Sequence, residues 1–176
     1  MRKLLIFICL GVLIGVLSSC IKEKQTGADL VVGDVVPDFT VVMSDGSEVT
    51  GAQLREGVCC IVFFTTSCPD CRQVLPHLQC LCNEYQPQGV RFAFISREEG
   101  AESIQQYWME NGYTMPFSAQ TDRRIYELFA ASRVPRVYIC MGGVIKTIFT
   151  DSPNPSYTDL DSSIQGALTR YQDTLP

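Results

Sequence analysis

The stretch Ile61-Val62-Phe63-Phe64-Thr65-Thr66-Ser67-Cys68-Pro69-Asp70-Cys71-Arg72 decides the fold. Residues 58–65 form an unbroken apolar run of strand length, as a central strand buried on both faces requires. A short polar turn stops the run, and Cys68 and Cys71 follow, separated by Pro69 and Asp70. Beyond them Val74, Leu75, Leu78, Leu81 and Tyr85 recur at helical spacing. The order is therefore strand, turn, Cys-x-x-Cys, helix. A helix N-terminus carries unpaired N–H groups and the positive end of the peptide dipole. Its field favours a thiolate at Cys68, and the thiolate is the form that attacks a disulfide. The pattern points to thiol–disulfide exchange, with no cofactor beyond a redox-active Cys68–Cys71 disulfide.

Working outward, Pro76 falls inside the helix and removes one N–H. Gln86-Pro87-Gln88-Gly89 ends it, and residues 90–96 read as the next strand. Residues 101–111 are amphipathic, with Ile104, Tyr107 and Trp108 inward and Gly112 as the C′ residue. A short strand is expected over 115–119, and a helix over 121–131 capped by Thr121 or Asp122. Val134-Pro135 precedes two strands, 136–141 and 144–150, joined by Gly142-Gly143 as an antiparallel hairpin. A loop over 151–155 leads to a final helix, 157–171. On the N-terminal side, Asp45-Gly46 between strand-like runs marks another hairpin. Strands interleaved with helices imply an α/β fold with a mixed sheet flanked by helices, plus an N-terminal β-hairpin.

The 176 residues suffice for one domain with a core. A net charge of −5 argues against nucleic acid, which needs a basic face. Arg2-Lys3 is a positive n-region, residues 4–17 are apolar, and Leu17-Ser18-Ser19-Cys20 closes the segment. Too short to span a membrane comfortably, it reads as an export signal. Its ending resembles a bacterial lipobox, which makes Cys20 the lipidated first residue. An uncleaved N-terminal anchor is the other reading. Both tether the domain outside the cytosol, on the periplasmic side of a bacterial membrane. The expected organisation is a signal peptide with lipobox (1–20), a tether (21–31) and one domain (32–176).

The chain has nine cysteines. Beyond Cys9 and Cys20 remain Cys59, Cys60, Cys68, Cys71, Cys80, Cys82 and Cys140, an odd number that cannot all pair internally. Cys59, Cys60 and Cys140 lie in apolar runs and read as small buried hydrophobes. Cys80 and Cys82 point about 200° apart on a helix and cannot easily bridge each other. No cysteines show the doubled Cys-x-x-Cys spacing of structural zinc, so no metal site is expected. His77, Arg72 and the run Arg97-Glu98-Glu99-Gly100 read as packed or solvated surface.

These features resemble the membrane-anchored TlpA-type thiol–disulfide oxidoreductases, a thioredoxin-like family that overlaps the AhpC/TSA group. The resemblance runs over roughly residues 32–171. It rests on Gly33-Asp34, Pro37-Asp38-Phe39, Asp45-Gly46, Cys68-Pro69-Asp70-Cys71-Arg72, Leu75-Pro76 and Val134-Pro135. It implies a thioredoxin fold, with Cys68 attacking and Cys71 resolving. It also implies a cis bond before Pro135, with the Val134 backbone pairing to an extended substrate segment. The family's substrate precedent is apocytochrome c, with a membrane thiol donor recharging the pair. The chain is expected to be a monomer acting on exported protein disulfides.

Three residues depart from the family pattern. Ser67 replaces the Trp common before the first cysteine. Val62 stands where thioredoxins bury an Asp, and Val74 where many anchored relatives carry a Glu. Proton transfer at Cys71 must then use water or another group, with Glu48 and Asp70 as candidates. Pro69 and Asp70 tune the couple from between the thiols. A carboxylate there disfavours the thiolate. The expected potential is thus nearer thioredoxin's about −270 mV than the about −120 mV of DsbA, which indicates a reductant.

Three other functions share parts of this pattern. Thr65-x-x-Cys68 matches half of a peroxiredoxin motif, but Ile61 occupies the Pro position and Cys71 would be superfluous. A Sco-type copper protein needs one more residue between its cysteines and a later His, and none follows His77. A non-catalytic binding module with a static disulfide is the third.

Overall fold

The computed structural model describes residues 29–175. The predicted signal peptide, Cys20 and most of the predicted tether lie outside the described residues.

A five-stranded sheet forms the centre, in the order β5-β4-β3-β6-β7. Its middle strand, β3 (Val58–Phe64), is buried along all seven residues, which is why its sequence is apolar without alternation. On one side β4 (Arg91–Ser96) pairs with it in parallel, Ile61 opposite Ala93. On the other, β6 (Arg136–Met141) pairs antiparallel, Ile61 opposite Tyr138. β7 (Val144–Phe149) continues from β6 through Gly142 and Gly143, at φ 57 and 79. Two positive φ values are what a tight primed turn demands, and glycine meets them without steric cost. The sheet is mixed, as expected.

The N-terminal hairpin joins β1 (Thr40–Val42) to β2 (Glu48–Thr50) as a separate two-stranded sheet. Asp45 closes its turn by accepting from the Ser47 amide and hydroxyl, at 2.9 and 2.6 Å. The hairpin is fastened to the edge of the main sheet. Ser44 N–H donates to the Phe117 carbonyl at 2.6 Å, and the Ser118 hydroxyl to the Val42 carbonyl at 2.7 Å. A one-turn helix, α1 (Gly51–Leu54), follows β2. Gly51 is required there, because a Cβ would stand 2.1 Å from the Pro37 carbonyl oxygen.

The helix α2 (Pro69–Tyr85) runs through Pro76 without a break. It buries Cys71, Val74, Leu75, Leu78, Leu81, Cys82 and Tyr85. The last helix, α5 (Tyr157–Gln172), packs on β3 and β6 and against α2. It starts with a reciprocal cap between Ser156 and Asp159. α3 (Ala101–Asn111) ends at Gly112 in the left-handed conformation, as its sequence predicts. It buries Ile104 and Trp108, whereas Tyr107 is only half-buried. Trp108 lies against Phe64 and Phe117, with centroids 5.1 and 5.2 Å apart. Cys59, Cys60 and Cys140 are fully buried, and Cys59 stands opposite Cys140 across β3 and β6.

Three local expectations need correction. The helix expected over 121–131 shrinks to one turn, α4 (Arg124–Glu127). After Glu127 the bonds tighten to three-residue turns, Leu128 N–H to the Ile125 carbonyl and Phe129 N–H to the Tyr126 carbonyl, and the Ala131 amide goes to Asp29. β5 is only Phe117–Ser118. Asp29 and Leu30, expected in the tether, are also bound to the domain. Leu30 is buried and its N–H donates to the Phe129 carbonyl at 2.8 Å, while Asp29 accepts from the Ala131 amide at 2.8 Å and pairs with buried Arg136.

Candidate redox site

β3 ends at Phe64, and Thr65, Thr66 and Ser67 carry the chain into α2. Cys68 is the N-cap of α2 and Pro69 its first helical residue, where a missing N–H costs nothing. The cap makes the redox geometry. Cys68 Sγ accepts from the Cys71 amide at 3.4 Å, so the helix N-terminus points a donor at the sulfur. Cys68 Sγ also lies 3.4 Å from the Val134 carbonyl, to which its thiol donates. Cys68 is half-buried and Cys71 completely buried, and both are free thiols. One sulfur can therefore meet a partner while the other waits behind it.

The structure brings Cys68, Cys71, Val134 and Pro135 together although 66 positions separate Cys68 from Val134. The Val134–Pro135 bond is cis. Pro69 is exposed and Asp70 half-buried on the outer side of the turn. Val62 and Val74, in place of the two carboxylates, are buried at 0% and 1% exposure. The surroundings of Cys71 are correspondingly apolar. Burial pushes its thiol well above the usual range, and the neighbouring Cys68 and Asp70 push the same way against a hydrogen bond at the Thr65 backbone. Glu48 does not belong to this site. It lies on β2 and lines a cavity of about 430 Å³ with Arg91 and Phe92 at the start of β4.

Two groups at the site escaped sequence reasoning. Glu99, read as part of a solvated run, reaches back 33 positions to the turn before Cys68. Its carboxylate accepts from the Thr66 amide at 2.7 Å and from the Thr66 hydroxyl. Arg72 Nε donates to the Thr66 carbonyl at 2.6 Å, with its guanidinium over the Tyr107 ring. Thr66, two residues before Cys68, is thus held at its amide, carbonyl and hydroxyl. The second group is Asn154, which donates to the Asp70 carbonyl at 3.1 Å and ties the loop after β7 to the Cys-x-x-Cys turn. No local periodicity marks either residue.

The Glu99 clamp gives a measurable expectation. Thr66 is nearly buried, so removing its acceptor strands an amide, at about 1–3 kcal/mol. Glu99→Ala should lower the unfolding free energy by about that amount, whereas Glu99→Gln keeps an acceptor and most of the stability. Amide exchange at Thr66 should accelerate in Glu99→Ala. An unchanged Thr66 exchange rate would remove the clamp from the account.

The model of the AhpC/TSA family matches residues 32–152. The thiol-disulfide oxidoreductase ResA of Oceanobacillus iheyensis is 25% identical over 142 residues, covering 78% of this chain and 67% of that protein. The solution structure of a candidate protein disulfide isomerase from Bacteroides thetaiotaomicron superposes with a TM-score of 0.75 at 22% identity. It covers 82% of this chain and 94% of its own. A thioredoxin-family thiol:disulfide interchange protein of Chlorobium tepidum gives 0.67 at 22% identity, covering 80% and 99%. These likenesses show the thioredoxin fold.

Proposed function

Because the chain belongs to the AhpC/TSA family, we propose that it reduces protein disulfides on the exported side of a bacterial membrane, through the Cys68/Cys71 dithiol. It is a thioredoxin-like oxidoreductase. The observation that carries the reading is the half-buried Cys68 sulfur, capping α2 against the Val134 carbonyl with buried Cys71 behind it.

The mechanism follows from that order. Cys68, as thiolate, attacks one sulfur of a substrate disulfide. A Cys68–substrate bond forms and the second substrate sulfur leaves as a thiolate. Cys71 then loses its proton and attacks Cys68 Sγ. The mixed disulfide breaks, the Cys68–Cys71 bond forms, and the substrate leaves with both thiols. Val134 and Pro135 hold the substrate segment as an added strand. A membrane thiol donor returns two electrons to the oxidised pair. With valines at positions 62 and 74, water or the neighbouring Asp70 carboxylate takes the proton from Cys71. Exposed Ser67 gives a smaller, more polar docking surface than an aromatic would.

The location rests on the N-terminal sequence, in which Cys20 carries the lipid and the domain acts as a tethered monomer. No helix among the described residues is long and apolar enough to cross a membrane. Apocytochrome c, the precedent of the TlpA-type resemblance, is the first substrate to try. Equilibration of the Cys68/Cys71 couple against dithiothreitol tests the direction. The expected potential is nearer thioredoxin's about −270 mV than the about −120 mV of DsbA, and a value above roughly −180 mV would overturn the reductase assignment.

A further inference from the structure

Arg133 has φ 73, the single non-glycine residue with positive φ among the described residues. An L side chain is crowded in that conformation, which glycine adopts freely. The position is set by its surroundings. The buried Tyr126 hydroxyl donates to the Arg133 carbonyl at 2.5 Å, and Val134–Pro135 follows at once. Backbone geometry alone would therefore favour glycine here, yet arginine is present.

The side chain contributes little to the fold. It is 59% exposed, and its contact is Nη1 to Asp151 Oδ1 at 3.4 Å. An exposed, long, single-nitrogen pair of this kind stabilises weakly. Its place is informative. Asp151 begins the loop whose Asn154 donates to the Asp70 carbonyl. The guanidinium thus pairs with the loop that also binds the Cys68–Cys71 turn. Arg133 directly precedes the residue assigned to pair with substrate, so a substrate strand laid along Val134 passes within one residue of its charge. A guanidinium presents a planar fork that fits a carboxylate, and Asp151 engages only one nitrogen of it.

We propose that Arg133 is a specificity residue, which receives a carboxylate of the substrate segment and makes the protein prefer disulfides flanked by Asp or Glu. This rests on the oxidoreductase reading above and adds a substrate class to it.

The test uses two synthetic peptides with one internal disulfide, identical except for Glu or Lys beside the cystine. At low ionic strength the wild-type protein should show a kcat/KM ratio of roughly fivefold in favour of Glu, expressed in KM and shrinking with added salt. Arg133→Gly should bring the ratio to about one, and Arg133→Lys should keep a preference for Glu. The urea midpoint of Arg133→Gly should equal or exceed that of wild type, because the left-handed position no longer carries a side chain. An unchanged ratio in Arg133→Gly overturns the proposal, and so does a lowered midpoint, which would assign Arg133 to the fold. Equal reduction of both peptides by wild type overturns the specificity alone. Reduction of neither overturns the oxidoreductase reading and the specificity with it.

Discussion

Cys68→Ser should reduce insulin-disulfide reduction to the uncatalysed background, a loss on the order of a thousandfold or more. A hydroxyl at the α2 N-cap is a sound cap, so the variant should fold as well as the wild type. The loss would therefore be chemical. Cys71→Ala should fail differently. Cys68 still attacks, but nothing behind it resolves the intermediate, so the variant should accumulate a covalent substrate adduct that dithiothreitol releases. The buried thiol predicts a pH dependence as well. Burial holds Cys71 in its protonated form through neutral pH and beyond. The reactive thiolate fraction then grows about tenfold per pH unit. In single-turnover experiments, release of substrate from the mixed disulfide should accelerate with rising pH and show no plateau below about pH 9. Equal insulin reduction by wild type and Cys68→Ser would mean that the pair is not catalytic. A plateau near neutrality would mean that a group other than water lowers the barrier at Cys71.

How much of this was legible in the sequence depends on how far apart the partners lie. The placement of Cys68 and Cys71 at the start of α2 was legible because it is local: a strand, a cap and the first turn of a helix, all within residues 58–72. The cis bond at Val134–Pro135 was legible only through resemblance, since nothing local sets it beside Cys68. Glu99 was not legible. Its partner Thr66 is 33 positions away, and Arg97-Glu98-Glu99-Gly100 has the composition of a solvated loop. Asp29 was hidden in the same way, because a polar residue in a polar stretch reads as tether until buried Arg136 is folded beside it. The helix expected over 121–131 failed for a different reason. Tyr126, Phe129 and Ala130 have helical spacing and are buried, but the chain turns tightly after Glu127 and the Ala131 amide is taken by Asp29, 102 positions away. Arg133 is the reverse case, since neither composition nor spacing announces that its backbone is left-handed.

Phe63→Ala should be the most damaging single core truncation. Phe63 is fully buried on the central strand. Its ring meets Phe129, Tyr126 and Tyr138 at centroid distances of 4.9, 5.4 and 6.3 Å. Removing it forfeits the transfer energy of a phenyl group and opens a cavity that surrounding strands cannot close, about 3–5 kcal/mol together. Against a typical total of about 5–15 kcal/mol, that is a large fraction of the stability. The melting temperature should fall by roughly 6–20 °C, given about 2–4 °C per kcal/mol for a domain of this size. Phe92→Ala, at a half-buried position on β4, should cost less. The damage should also reach the redox site. Tyr126 and Tyr138 are held by the Phe63 ring, and their hydroxyls bind the Arg133 and Phe129 carbonyls at 2.5 and 3.2 Å. Loosening Tyr126 releases the segment that presents Val134 to Cys68. At temperatures where Phe63→Ala is still folded, KM for protein disulfides should therefore rise, while the reactivity of Cys68 toward a small alkylating reagent should change little. Thermal unfolding and the two rates measured side by side decide it. A stability loss below about 1 kcal/mol would show that the aromatic cluster repacks around the gap. A loss of the expected size with unchanged KM would show that the Val134 segment is held independently of the core beneath it.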